Sequence, residues 1–298
     1  MKWAPLGLAL GCHVVKLLLR ARAWQNIVRA SYPAGKLRYR TALGAYTAGV
    51  GVNSIAPARG GDVIKLYLVK HRMVDAKYPT LAATLVVETL FDFFIASAVM
   101  IWALTLGVLP AHQVYSRIPT VDWKFFLRHE RATAIGLVVL LALAVVLFFW
   151  ARRKVENFWA RVKQGFAILR DRGRFFVGVI VPQALSWVLR LATLYFMLEA
   201  FGVSATIHNA LLAQVVDSLS TLFPATPGGA GTKQGLIVYV FRGSAISTSL
   251  LLAFSVGMNI AITIVNVLLG LLAIGLMART LSFKKLRTRA AEEQPAEG

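Results

Sequence analysis

The chain has 298 residues, 57% of them hydrophobic and 15% charged. Soluble domains carry about 25% charged residues, so a mean hydropathy of +0.65 marks an integral membrane protein and excludes a soluble enzyme or module. Lys and Arg number 33 against 13 acids, a formal charge of +20. These basic residues lie between apolar runs, where they read as cytoplasmic loops or as attraction to anionic headgroups, not as a nucleic-acid surface.

Residues 3–19 form an apolar run interrupted by His13 and Lys16 and closed by Arg20 and Arg22. No small-residue cleavage site follows, so the run predicts a short first membrane helix and not a signal peptide. Cys12 stands alone, which leaves no disulfide framework and no multi-cysteine metal site. Segment 20–40 carries Arg20, Arg22, Arg29, Lys36, Arg38 and Arg40 without an acid, and is expected as a cytoplasmic loop. Further spans are expected at 81–109, 132–150, 175–200 and 250–277. They are too long and too uniformly apolar for strands. The basic segment 151–174 and the tail from Arg279 belong on the cytoplasmic side by the same rule.

Two weaker apolar pieces, 41–57 and 207–241, are broken by Gly, Pro and charge. Each must enter and leave on one side, or cross twice, so 41–72 should dip in from the cytoplasm and 207–242 from the opposite face. The expected fold is all-α: a polytopic transmembrane bundle with two re-entrant, broken-helix segments over residues 1–280. A polar, disordered cytoplasmic tail is expected over 281–298. An internal repeat points the same way. At an offset of 170, Pro57, Gly61, Leu66, Arg72, Leu81, Ala83 and Val86 match Pro227, Gly231, Leu236, Arg242, Leu251, Ala253 and Val256. The two copies would run in opposite directions, an arrangement used by transporters.

Three polar constellations carry chemistry. In the first, Gly60 and Gly61 permit a tight turn, Arg59 offers a fork for phosphate oxygens, and Lys65 adds a mobile charge. Asp62 would orient Arg59 or cap the helix. In the second, Pro224 to Gln234, the glycines Gly228, Gly229 and Gly231 would let a headgroup approach the backbone, with Lys233 facing its phosphate. The third is the intramembrane set Glu88, Asp92, Arg190 and Asp217. Burial of such groups is costly, so they should face a cavity or one another, Arg190 pairing with Glu88, Asp92 or Asp217. The histidines His13, His71, His112, His129 and His208 are scattered without metal-ligand spacing, and Ser218 and Ser220 lack a histidine base. No catalytic residue, metal site or cofactor is expected.

At these motifs the chain resembles the lysylphosphatidylglycerol synthase transmembrane region, the flippase-like UPF0104 family. Pro57-x-Arg59-x-Gly61-Asp62-x-x-Lys65 is similar to the first family motif. Pro224-x-x-Pro227-Gly-Gly-x-Gly231-x-Lys233-Gln234 is similar to the second. Glu88 and Asp92 match the acidic pair, and Trp24 a tryptophan after the early basic stretch. The likeness covers roughly 20–280. Gln234 stands where the family has Glu, Thr89 where an Arg often follows the Glu, and one upstream helix is short or absent.

The aminoacyl-transfer domain of the lysyl-lipid synthases is not recognised, so the resemblance implies lipid movement between leaflets of the cytoplasmic membrane without lysyl transfer. Anionic lipids are the expected partners, bound by Arg59, Gly61, Asp62, Lys65, Gly228, Gly229, Gly231, Lys233 and Gln234. The alternatives are an accessory subunit of a membrane transferase, and a transporter of small solutes or ions.

Overall fold

The computed structural model describes residues 1–56, 60–73, 75–105, 158–222, 231–242 and 246–292. Every regular element among them is helical. In chain order these are α1 (Trp3–Ser31), α2 (Tyr39–Ile55), α3 (Gly60–Arg72), α4 (Tyr78–Thr105), α5 (158–165), α6 (Arg172–Ala200), α7 (Ile207–Leu222), α8 (Thr232–Val240) and α9 (Thr248–Glu292). The expected span 132–150 lies outside the described residues.

Among the described residues, four helices are long and apolar enough to cross a bilayer: Trp3–Ser31, Tyr78–Ala103, Arg172–Ala200 and Thr248–Met277. Their outward faces confirm the solvent. Ile260, Ile264, Leu268 and Leu271 on α9 are all more than half exposed, a surface stable against lipid and not against water. In α6 the backbone passes through a π-turn at Phe176–Ile180 just before Pro182. The wider turn accommodates a residue that brings no N–H to the ladder.

The order of elements repeats. A long helix, two short helices and a second long helix occur as α1–α4 and again as α6–α9. Corresponding elements begin at Trp3 and Arg172, Tyr39 and Ile207, Gly60 and Thr232, Tyr78 and Thr248. The long helices α1 and α6 pack along one another, α2 lies on α9, and α7 lies on α4. The first helix of each short pair therefore rests on the closing helix of the other half, and the second on that of its own. One core gathers around Trp24, Tyr46, Val69 and Leu81, and a second around Met197, Leu198, Ile237 and Phe254.

Two expected boundaries move. The first helix runs on to Ser31 through what reads in sequence as a basic loop. It continues because Trp24, Ile27 and Val28 are fully buried and Arg20 finds carboxylates, as described below. At the other end α9 extends through Glu292, beyond the boundary expected at 280.

The contact of α2 with α9 depends on absent side chains. A Cβ on Gly51 would lie 2.8 Å from the Asn266 carbonyl oxygen and 2.9 Å from Gly270 Cα. Beside this contact runs a polar ladder. Lys16 Nζ donates to His13 Nδ1 (3.0 Å), His13 Nε2 meets Asn266 Oδ1 (2.7 Å), and Asn266 Nδ2 donates to Ser54 Oγ (3.0 Å). It joins α1, α9 and α2 where lipid offers no alternative partner. Gly270→Val should push α9 off α2 and cost about 1–3 kcal/mol, read as a lower unfolding midpoint in detergent. An unchanged midpoint would show that this contact is not close-packed.

Candidate functional site

α2 ends at Ile55 and α3 begins at Gly60, within the first Gly/Pro motif, and the two helices pack as an antiparallel hairpin. Its apex is held by Asn53, whose Oδ1 accepts from the Gly61 N–H (2.7 Å) while its Nδ2 donates to Asp62 Oδ1 (3.2 Å). Asp62 is thus engaged with its own hairpin. Arg59 lies outside the described residues, as do Gly228, Gly229 and the rest of 223–230. α7 ends at Leu222, and α8 begins at Thr232, just after Gly231. There Gly231 adopts φ +85°, a conformation that disfavours a side chain. Its N–H donates to Gln234 Oε1 at 2.6 Å. Gln234, expected on a headgroup, is therefore occupied in starting α8.

From α3 the Lys65 side chain turns inward and is 4% exposed. Its Nζ donates to Glu88 Oε2 at 2.6 Å and lies 4.1 Å from the ring centroids of both Trp24 and Tyr46. Aromatic faces stabilise a desolvated ammonium. Glu88 on α4 also faces Arg20 Nη2 at 3.5 Å, and Arg20 grips Asp92 with two nitrogens, at 2.5 and 3.1 Å. Arg20 Nε further donates to Tyr46 Oη at 2.7 Å. Glu88 and Asp92 share one face of α4 because they are four residues apart, so one guanidinium spans both.

The chain continues into the second half. Trp187 on α6 donates its indole N–H to Asp92 Oδ1 (2.8 Å), and the Arg190 guanidinium stacks 4.9 Å from the Trp187 ring. Arg190 Nη2 lies 2.5 Å from Asp217 Oδ2, and Lys233 Nζ lies 2.5 Å from Asp217 Oδ1. Lys65, Glu88, Arg20, Asp92, Trp187, Arg190, Asp217 and Lys233 thus form one continuous polar chain from the first hairpin to α8. All four residues of the expected intramembrane set belong to it, and Arg190 takes Asp217 as its carboxylate.

The expectation was incomplete in two places. Arg20 reads as a loop residue in sequence, although it stands 170 positions before Arg190, the offset of the repeat. Trp187 carries no sequence signal at all, being one tryptophan in an apolar helix.

The charges are not evenly spread. A cavity of about 180 Å³ at the first hairpin is lined by Arg20, Tyr46, Asn53, Asp62, Lys65, Glu88, Thr89 and Asp92, with Val50 and Leu85. Its ionisable groups are two cations against three carboxylates. At the other end Arg190 and Lys233 share the single carboxylate of Asp217, two cations against one. The second cluster therefore attracts an anion, and the first tolerates or prefers a cationic group.

The comparisons agree with this architecture. The family described as the lysylphosphatidylglycerol synthase TM region matches residues 1–270, so the chain belongs to that family of multi-pass membrane proteins. It is similar to a UPF0104 membrane protein of Methanothermobacter thermautotrophicus, 25% identical over 244 residues, covering 74% of this chain and 69% of that one. It is also similar to a UPF0104 membrane protein of Methanocaldococcus jannaschii, 20% identical over 203 residues, covering 64% of this chain and 79% of the other. No solved structure matches the chain significantly.

Proposed function

We propose that this protein is not an enzyme but binds phospholipids of the cytoplasmic membrane and carries their headgroups between leaflets along the buried charge chain. The observation that carries the reading is the continuity of that chain, which joins Lys65 on the first hairpin to Lys233 on α8. Buried ionisable groups are expensive in a bilayer and mark a pathway for polar cargo. In this reading the two broken-helix segments are re-entrant from opposite faces, the two halves are inverted copies, and the C-terminus is cytoplasmic. The lipid phosphate approaches Arg190 and Lys233, where positive charge is in excess. A hydroxyl or amine of the headgroup suits the carboxylate-rich cavity around Glu88 and Asp92.

The two halves are joined in this chain by a neutral donor, the Trp187 indole, whereas each half keeps its own ion pairs. Parting the chain between them costs the Trp187–Asp92 hydrogen bond and no ion pair, since the Trp187–Arg190 contact lies within α6. That is the weakest place at which the pathway can part and close again.

Lys233→Gln is the clean test, because Asp217 keeps Arg190 and no carboxylate is stranded. In proteoliposomes holding a fluorescent phosphatidylglycerol, the rate at which label becomes accessible to an external quencher should fall at least tenfold in this variant. Its elution and unfolding midpoint should be unchanged. Equal rates in wild type and variant, or no movement of lipid by the wild type, would remove the proposal. Faster movement of phosphatidylethanolamine than of phosphatidylglycerol would assign headgroup selection to Glu88 and Asp92.

A further inference from the structure

A second concavity lies on the other side of α2. It has a volume of about 590 Å³ and is walled by Leu17 of α1, Gly44 and Thr47 of α2, and Leu272, Ala273 and Leu276 of α9. This is within the ~300–1,000 Å³ typical of small-molecule sites. The same helix presents Tyr46, Val50 and Asn53 to the polar cavity, so α2 stands between the two spaces. No residue of the charge chain lines the larger one.

Two features identify its occupant. The walls are apolar and open sideways, since Leu18, Leu272 and Leu276 are 38%, 60% and 56% exposed along faces that meet the bilayer. A water-soluble solute has no reason to enter from that side. At one end stand Arg38, Arg40 and Arg72, with no acid among the residues that line the space. Arg72 donates to the Met277 carbonyl at 2.9 Å, which fixes this basic end at the last residue of the α9 span. Arg38 and Arg40 are exposed and make no ion pair among the described residues. Tyr39 between them donates its hydroxyl to the Leu18 carbonyl (2.9 Å) and tethers the start of α2 to the α1 wall.

We infer that this groove is a lipid-binding site separate from the charge chain, holding an anionic glycerophospholipid with one acyl chain along α1, α2 and α9. Its phosphate sits at the bilayer surface against Arg38, Arg40 and Arg72. The match is of charge as well as shape: an apolar slot ending in arginines at the limit of a membrane span complements an acyl chain ending in a phosphate. The site stands whether or not the protein moves lipids. If it does, the groove holds lipid beside the first hairpin, one helix away from the pathway.

The test is native mass spectrometry of the delipidated full chain in detergent, titrated with phosphatidylglycerol or phosphatidylcholine. Wild type should bind phosphatidylglycerol first and more tightly. Arg38→Gln and Arg40→Gln, together, should weaken phosphatidylglycerol binding by about fivefold per arginine and leave phosphatidylcholine unaffected. Lys233→Gln should keep the preference even where lipid movement falls at least tenfold. Unchanged binding in the arginine variant overturns the groove site. So does loss of the preference in Lys233→Gln alone, which would place the bound lipid on the charge chain. Retained preference in a wild type that moves no lipid would uphold the groove and sink the transport reading.

Discussion

Asp217→Ala should be among the most destabilising single substitutions in the described chain, lowering the unfolding free energy by about 3–5 kcal/mol. Asp217 is the shared carboxylate of Arg190 and Lys233, at 2.5 Å from each. Removing it strands two cations in a membrane interior that cannot solvate them, whereas removing one cation leaves a complete pair. The expected order of unfolding midpoints in detergent is therefore wild type close to Lys233→Gln, with Asp217→Ala far below both. Adding Lys233→Met to Asp217→Ala should recover part of the loss, and adding Arg190→Met as well should recover most of it. Apolar replacement of a whole buried ion group is commonly neutral or stabilising. An Asp217→Ala protein as stable as wild type would mean that water reaches this cluster freely. The chain of charges would then be an open surface feature and not a buried pathway.

The same arithmetic explains why some of the site was legible in sequence and some was not. Glu88, Asp92, Arg190 and Asp217 stand out because each interrupts an apolar run, and a bilayer gives such a residue few choices besides one of the others. Arg20 is chemically their equal but sits at the head of six basic residues, where the rule that places basic loops in the cytoplasm explains it away. The offset of 170 from Arg190 is its one trace in the sequence, and three dimensions decide its membership by bringing α4 within reach of two guanidinium nitrogens. Gln234 shows the opposite failure. Its position after Pro-Gly-Gly-x-Gly suggested a ligand contact, yet a helix beginning at a left-handed glycine needs an acceptor for its first amide, and Gln234 is the nearest one.

Among the described residues, the long spans were readable to within a few residues wherever apolar composition alone sets the boundary. The first helix was misjudged by a dozen residues because its second half is basic on one face and packed on the other. The order of elements at an offset near 170, only hinted at by seven identities in 30 positions, is plain in the fold.

The second large effect is expected at adjacent glycines that look interchangeable in sequence. Gly61→Ala should cost about 3 kcal/mol, the upper part of the range for overpacking, because the obstacle is backbone and cannot rotate away. A Cβ there would overlap the Gly49 carbonyl oxygen and lie 2.8 Å from both the amide nitrogen and Oδ1 of Asn53. At Gly60 the nearest atom to a Cβ is the Ala56 methyl at 3.8 Å, an ordinary contact, so Gly60→Ala should be neutral or slightly stabilising. The difference reaches the site because Lys65 follows Gly61 by one helical turn on the same face. For α2 and α3 to separate, the Lys65 ammonium must leave Glu88 and the rings of Trp24 and Tyr46. Gly61→Ala should thus lower the unfolding midpoint and, under the proposed function, lipid movement, with Gly60→Ala matching wild type in both. If the two variants behave alike, the hairpin is loose at its apex, and Lys65 is held by Glu88 and the aromatic rings rather than by the backbone contact of Gly49 with Gly61.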